Sequence, residues 1–481
     1  MESTMELGGE VAVPAVDGNP KRWAILFTIL AVEVMDLLDG TIVNVAAPSI
    51  QKALNTSLSA LQWVTGGYAL ALAVGLVLGG RLGDLFGRRR MFLLGVAGFT
   101  LSSAACGMAT SIEALIAFRL VQGLFAASMI PQGFGLVREA FPPAELGKAF
   151  GMFGPVIGGS AILGPIVGGV LVDANLFGAG WRAIFLVNVP LGVVALIAGA
   201  RLLPEGKPGQ ERGLDAFGAG LASAVAGGSI GALIQGPESG WPVWSYALLG
   251  ASAAALLAFV AFERRRERAG LPVLVPMRLF SERAFSAGLS VVLVFFACMI
   301  GLTFMLSVLL QMGSHFSAIR TGLSMAPWAF GTAVGSVVSS QALAPKIGRT
   351  VLHVALVTLL AGVGSLAAVV HFDAVSSAAL AGPMVLCGLG MGAMISPLFN
   401  FVLAGIQDRD VGSASGVLNA IQQLGGAAGI AVLGTVFFAQ ARAGKLVLGF
   451  ERATAIELAL LVLCAGLVFL LPMKQREQAG H

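Results

Sequence analysis

The sequence is poor in charge. Asp, Glu, Lys and Arg supply only 11% of its 481 residues, whereas a soluble globular chain carries about 25% to wet its surface. That deficit excludes a water-soluble domain of this length. Four histidines (His315, His353, His371, His481) are scattered, and four cysteines (Cys106, Cys298, Cys387, Cys464) lie in separate apolar stretches. There is no CxxC, no HExxH, no phosphate-cradling GxxxxGK[ST] and no Ser/His/Asp cluster. Disulfide frameworks, zinc sites, ATP-driven mechanisms and hydrolase chemistry therefore lack their parts. The cysteines read as small apolar packing residues. The net charge of +4 comes from basic residues spread over short loops, which argues against a nucleic-acid surface.

What the sequence has in abundance is apolar length. Hydrophobic residues make up 57% of the chain and mean hydropathy is +0.89. A helix needs about 20 mostly apolar residues to cross a hydrocarbon core. Fourteen such stretches can be drawn: 23–45, 58–80, 91–110, 112–137, 147–172, 183–203, 216–235, 243–262, 284–311, 321–343, 350–371, 376–403, 411–441 and 453–472. They are too long and too uniformly apolar for barrel strands, so the expectation is an all-α integral membrane protein with 14 transmembrane helices. With the N-terminus inside, 22 of the 29 basic residues fall in cytoplasmic segments, 6 fall outside, and Arg119 lies within a span. The positive-inside rule then places both termini in the cytoplasm. Residues 1–20 lack a signal-peptide profile and read as a disordered cytoplasmic tail.

An internal repeat is visible. Arg81 to Arg90 joins the second and third spans, and Ala342 to Arg349 joins the tenth and eleventh; they align on Gly87-Arg88 and Gly348-Arg349. Spans 1–6 and 9–14 become parallel repeats, with spans 7–8 inserted. The expected organisation is a bundle over 21–206, an insertion with a basic loop over 207–270, a second bundle over 271–475 and a tail over 476–481. Two-half symmetry of this kind marks transporters whose path runs between the halves.

Several motifs, in order, carry a resemblance. Leu38 to Pro48 reads LDGTIVNVAAP, and Gly80 to Arg90 reads GRLGDLFGRRR. Arg119, Gln122 and Gly123 follow in the fourth span, Gly164-Pro165-Ile166-Val167-Gly168-Gly169 in the fifth, and Trp181 to Pro190 at the entry to the sixth. Together these resemble the major facilitator superfamily, and within it the fourteen-helix drug:proton antiporter branch. The resemblance implies the major-facilitator fold, two six-helix bundles plus two inserted helices. Two departures stand out: Leu85 where the loop motif has a basic residue, and Ser160 where the fifth-helix motif has glycine.

Charges inside hydrocarbon are costly, by about 2.5–3.5 kcal/mol each on insertion scales, so their default reading is functional. Glu33, Asp36 and Asp39 recur at three-residue steps in the first span and share one broad helix face. Asp39, inside the matched motif, is the main candidate proton carrier, with Asp36 and Glu33 behind it. The plainer reading is that these acids pair with a neighbouring helix or a polar wall. The resemblance gives Arg119 a role in proton transfer, through an effect on Asp39; a structural ion pair is the alternative. Gly80, Asp84, Gly87 and Arg88 form a candidate conformational latch holding the halves together, against an ordinary solvated loop. Ser160, Gly164 and Gly168 make a small-residue stripe, with Pro165 bending the helix and Gly169 completing the antiporter motif. Asn44, Gln122, Asn400, Asn419 and Gln422 are candidate polar cavity residues. Spans nine to thirteen hold no Asp or Glu in their apolar stretches, so the second half reads as an uncharged wall. Phe304, Met305, Trp328 and Met394 could line a cavity or simply pack.

The function implied is not enzymatic: proton-coupled antiport exporting small amphipathic or drug-like compounds, with a proton gradient and no cofactor. A narrow-specificity metabolite exporter or a proton-coupled uptake carrier is the alternative. The partners expected are substrates, protons and the lipid bilayer, with no nucleic acid and a monomer as the working unit. The resemblance points to a bacterial inner membrane, crossed many times.

Overall fold

A computed structural model describes residues 19–56, 58–142, 145, 149, 152–175, 178–205, 215–271, 273–372, 374–403, 406, 411–441 and 444–473. The expected N-terminal tail up to residue 18, the connector over 206–214 and residues from 474 onward lie outside that set. Among the described residues there are no strands. The chain runs through α1 (Arg22–Leu54), α2 (Leu58–Phe86), α3 (Arg88–Gly107), α4 (Ile112–Ala140), α5 (Phe153–Ala174) and α6 (Gly180–Leu202). Next come α7 (Ala216–Glu238) and α8 (Val243–Arg268). Then follow α9 (Arg283–Gly313, its last turn π-helical), α10 (Ala318–Val338), α11 (Thr350–His371), α12 (Ser377–Leu403), α13 (Val411–Ala441) and α14 (Leu446–Val468).

Among the described residues, eight helices are long and apolar enough to cross a membrane by length and composition. Their outward faces are apolar: Leu94, Leu101, Val194, Leu257 and Val357 are each at least 60% exposed. So many bare aliphatic side chains need lipid as their solvent, and the protein is a multi-pass membrane protein. The helix ends carry local signals. Ser111 caps α4 by accepting from Ala114 N at 3.2 Å, Asp215 caps α7 through Gly218 N at 2.9 Å, and α1 stops at Asn55, whose φ is 47°. Such caps satisfy backbone groups that the helix itself leaves open.

The packing follows a repeat. In the first set, α1 packs on α4, α5 and α6, α2 on α4, and α3 on α4 and α6. In the second set, α9 packs on α12, α13 and α14, α10 on α12, and α11 on α12 and α14. Adding eight to each number of the first set gives the second. The sets meet through α2 with α13 and α5 with α10, two contacts that the same operation exchanges. α7 packs on α8, α2 and α13, at one seam between the sets. The two Gly-Arg turns match in detail. Gly87 (φ 93°) and Gly348 (φ 52°) both take left-handed geometry that favours glycine. Beyond them, Arg89 donates to Ala200 O at the end of α6 (2.6 Å) and Arg349 to Phe469 O beyond α14 (3.0 Å). Each arginine caps open carbonyls at the end of its bundle's last helix.

Close helix approach rests on glycine at the α10–α12 crossing. A Cβ at Gly388 would overlap the Trp328 carbonyl oxygen, while one at Gly364 in α11 would meet nothing within 4 Å. Gly388→Ala should therefore push α10 from α12 and lower stability by about 1–3 kcal/mol. In detergent this appears as a lower thermal midpoint, with Gly364→Ala unchanged; equal midpoints for both would refute the packing argument.

Candidate coupling site in the first bundle

The acid expected to matter most sits at the middle of α1 with its partners already in place. Asp39 is 1% exposed and Arg119, on α4, is 0% exposed. Arg119 Nη1 pairs with Asp39 Oδ2. The other carboxylate oxygen, Oδ1, accepts from Gln122 Nε2 at 3.0 Å and from Asn188 Nδ2, on α6, at 2.8 Å. One side chain thus ties α1 to α4 and α6. Arg119 also donates to Gln122 Oε1 at 2.9 Å and, through Nε, to Val64 O of α2 at 3.0 Å. Its guanidinium lies 4.1 Å over the Tyr68 ring, a favourable cation–π position. Asn188 Nδ2 is shared with Ser103 Oγ on α3 at 3.0 Å. Cys106 Sγ faces Gln122 Oε1 at 3.6 Å.

Asp36 lies one turn away and is also buried. Tyr68 OH donates to its Oδ1 in a short hydrogen bond. Tyr68 therefore touches both charged partners, bonding Asp36 through its hydroxyl and Arg119 through its ring. Glu33, a further turn along, is half-buried. Of the acids expected on one face, two share this network.

The remaining candidates are placed as follows. Gly164 of α5 packs on Thr41, where a Cβ would overlap the hydroxyl, and Gly168 packs on Ile42. The small-residue stripe thus brings α5 onto α1, two residues beyond Asp39. Ser160 is buried and donates to Val156 O of its own helix at 2.8 Å. Gly169 is buried, and α5 runs unbroken through Pro165, whose side chain lies outside the described set. In the loop motif, Arg88 pairs with Glu139 of α4 at 3.4 Å and Arg89 with Glu205 at 2.5 Å. These pairs join helices of one bundle, whereas the latch was expected to hold the two halves together. Gly80 faces Pro131 of α4, and the side chains of Asp84 and Asn44 lie outside the described set.

In the second bundle, Asn419 and Gln422 are half-buried and Asn400 is exposed. Met305, Trp328 and Met394 are core residues of that bundle, and Phe304 is half-buried. The uncharged second half needs correction: Glu457, on α14, is fully buried there. Sequence reading also passed over Asn188 and Tyr68. Asn188 stood within the quoted Trp181 to Pro190 motif, and Tyr68 is one of only two tyrosines.

A sequence profile of the Major Facilitator Superfamily matches residues 29–217 and again 212–430. The chain belongs to that superfamily. It is a transporter rather than an enzyme. It is 48% identical over 420 residues to a probable actinorhodin transporter of Streptomyces coelicolor, covering 87% of this chain and 73% of that one. It is 32% identical over 412 residues to the multidrug resistance protein Stp of Mycobacterium tuberculosis (84% and 74% covered). The methylenomycin A resistance protein of Bacillus subtilis is 32% identical over 410 residues (84% of each). Relatives of these kinds put the chain in the superfamily's drug-efflux branch. Among solved structures, a D-xylose-proton symporter superposes with a TM-score of 0.66 at 14% identity, over 94% of this chain and 98% of that one. At that identity the likeness carries the fold alone.

A buried pair predicts its own energetics. Asp39→Asn keeps the shape of the site but leaves Arg119 without a counter-charge, which should destabilise by about 3–5 kcal/mol. Adding Arg119→Gln removes the stranded cation and should recover much of that loss. Thermal midpoints of the two single variants and the double variant form the cycle; strictly additive losses would mean the two groups do not stabilise each other.

Proposed function

We propose that the protein is a proton-coupled antiporter that exports amphipathic, drug-like compounds across a bacterial inner membrane by alternating access. In this reading α1 to α14 all cross the bilayer, both termini are cytoplasmic, and the working unit is a monomer. Residues 21–206 and 271–475 are the moving bundles, and 207–270 is an insertion at their seam. The proton gradient supplies the energy, and no cofactor takes part.

The observation that carries this reading is the Asp39–Arg119 pair, buried in lipid-embedded helices and tied to Gln122 and Asn188. A proton placed on Asp39 cancels its charge and strands a guanidinium that stays ionised in any protein environment. The nearest alternative acid is Asp36, bonded to the tyrosine beneath that guanidinium. Protonation thus favours a second arrangement of α1, α4 and α6, and a ligand that prefers one arrangement shifts the balance. Export, rather than uptake, is supported by relatives named for resistance and export. The close seat of Gly164 and Gly168 on α1 supports a site sealed on that side against proton leak. Acids on α1 suit cationic or neutral substrates, so preferential transport of organic anions would count against this class.

A second reading, a narrow-specificity exporter of one metabolite, is favoured by the relative at 48% identity, which is named for a single compound. Proteoliposomes with a trapped pH dye, challenged with a panel of lipophilic cations and neutral aromatics, test both. Antiport predicts saturable, substrate-triggered proton movement that is lost in Asp39→Asn and kept in part by Asp39→Glu. Response to many panel members supports the broad exporter, and response to one supports the narrow reading. Substrate flux without proton movement would overturn the coupling mechanism.

A further inference from the structure

We propose that Glu457 is a second proton-binding carboxyl, at the centre of the second bundle and loaded through the groove between α11 and α14. The proposal rests on the reading of the protein as a proton-coupled transporter and adds a site to it.

Glu457 is the middle residue of the 23-residue α14, with eleven residues on either side. At 1.5 Å per residue that is about 16 Å from each helix end, the midplane of a 30 Å hydrocarbon core. The side chain is 0% exposed, and among the described residues neither carboxyl oxygen has a hydrogen-bond partner. The helices packed around it offer no counter-charge. α9 brings Cys298, whose Sγ lies 4.0 Å from the Glu457 carbonyl oxygen. α13 carries no titratable residue; α9 has Arg283 at its first position; α11 has His353 and His371 towards its two ends. On α14 itself stand Glu451, Arg452 and Cys464. An ionised carboxylate without partners in such surroundings is far costlier to bury than a neutral acid. Glu457 therefore holds a proton in this arrangement of the helices. Release requires an arrangement that gives the carboxylate water or a donor, which is the property of a coupling site.

The repeat gives its position meaning. Adding eight to the helix numbers carries α6 onto α14 and α1 onto α9. Asn188 on α6, which completes the Asp39 site, corresponds in helix to Glu457 on α14. Each bundle thus has a buried acid where its first and last helices meet: Asp39 from α1 in one, Glu457 from α14 in the other.

A groove lies one turn from Glu457. With a volume of about 380 Å³, it runs between α11 and α14, lined by His371, Glu451, Thr454 and Leu458 among others. His371 Nδ1 lies 2.7 Å from Glu451 Oε1 in that lining, a pair able to pass a proton. Thr454 is fully buried and precedes Glu457 by three residues, one turn along α14. Its hydroxyl is bonded to Phe450 O at 2.7 Å.

Two measurements on the reconstituted full chain test the proposal. A lipid-soluble carbodiimide reacts with protonated carboxyls in membranes; peptide mass spectrometry should find Glu457 modified, less so as pH rises. Reversal potentials should show Glu457→Gln moving one proton fewer per substrate than the native chain, with Glu457→Asp restoring the native ratio. Absence of labelling at acid pH, or a native ratio in Glu457→Gln, would overturn the site. If Glu457→Gln does not fold, the labelling of the native chain and the ratio of Glu457→Asp decide. A native chain that labels at Glu457 but moves no protons with substrate overturns the antiport reading and not the proton site. Intact coupling with no labelling does the reverse.

Discussion

Hydrocarbon offers no hydrogen bonds, and that one property of the solvent governs the rest of this molecule. Every backbone amide must find its partner within the chain, so the described residues form helices and no strands. Helices cannot be driven together by the hydrophobic effect when their surroundings are equally apolar, so contact must come from close fit. The crossings are accordingly floored with glycine: Gly388 on Trp328 between α10 and α12, Gly79 on Ala127 between α2 and α4. The repeat relates these two crossings, and both bundles use the same solution. Charge obeys the same constraint, either remaining at helix ends, as in Arg89 and Arg349, or meeting a partner inside.

The Asp39–Arg119 pair shows what such a partner does beyond neutralising charge. Asp39 accepts from three side chains on two other helices, and Arg119 touches a fourth helix through Val64 and Tyr68. In a low-dielectric interior, removing one charge raises the energy of the other by several kcal/mol. In the proposed mechanism a single proton therefore acts on the relative positions of α1, α2, α4 and α6 together. Asp36 and Tyr68 lie beside this network. The seat of α5 on Thr41 and Ile42 places the neighbouring bundle helix against the same stretch of α1, within reach of any movement there.

Much of this was legible because lipid makes charge conspicuous. Asp39, Arg119 and Gln122 stand out as polar residues in apolar runs, and the structure brings all three together. Asn188 was harder to see. The sixth span appeared to open at residue 183, leaving position 188 near its mouth, whereas α6 opens at Gly180 and carries Asn188 to the depth of Asp39. Glu457 was hidden by the same error. Glu451 and Arg452 interrupt the apolar run, so the last span seemed to begin at 453 with Glu457 at its edge. α14 begins at Leu446, which makes that residue its centre. The partners of Arg88 and Arg89 were not legible because a loop's charge pattern does not reveal which helix end lies opposite. Asn400 is exposed for a related reason: polarity in a span marks a residue as unusual without fixing the face it occupies.

The two bundles share a packing plan and differ in what they place at its centre. The first holds an acid with its counter-ion, Asp39 with Arg119. The second holds an acid, Glu457, with no hydrogen-bond partner among the described residues. These are separate physical levers, charge pairing in one case and desolvation in the other. The first responds to small shifts of α1 against α4, on the scale of an ion-pair distance. The second responds only when a path opens along α14. In the proposed mechanism, protons bind in both halves without the two sites competing for one set of neighbours. Rocking of one bundle against the other would then act on each site through a different coordinate.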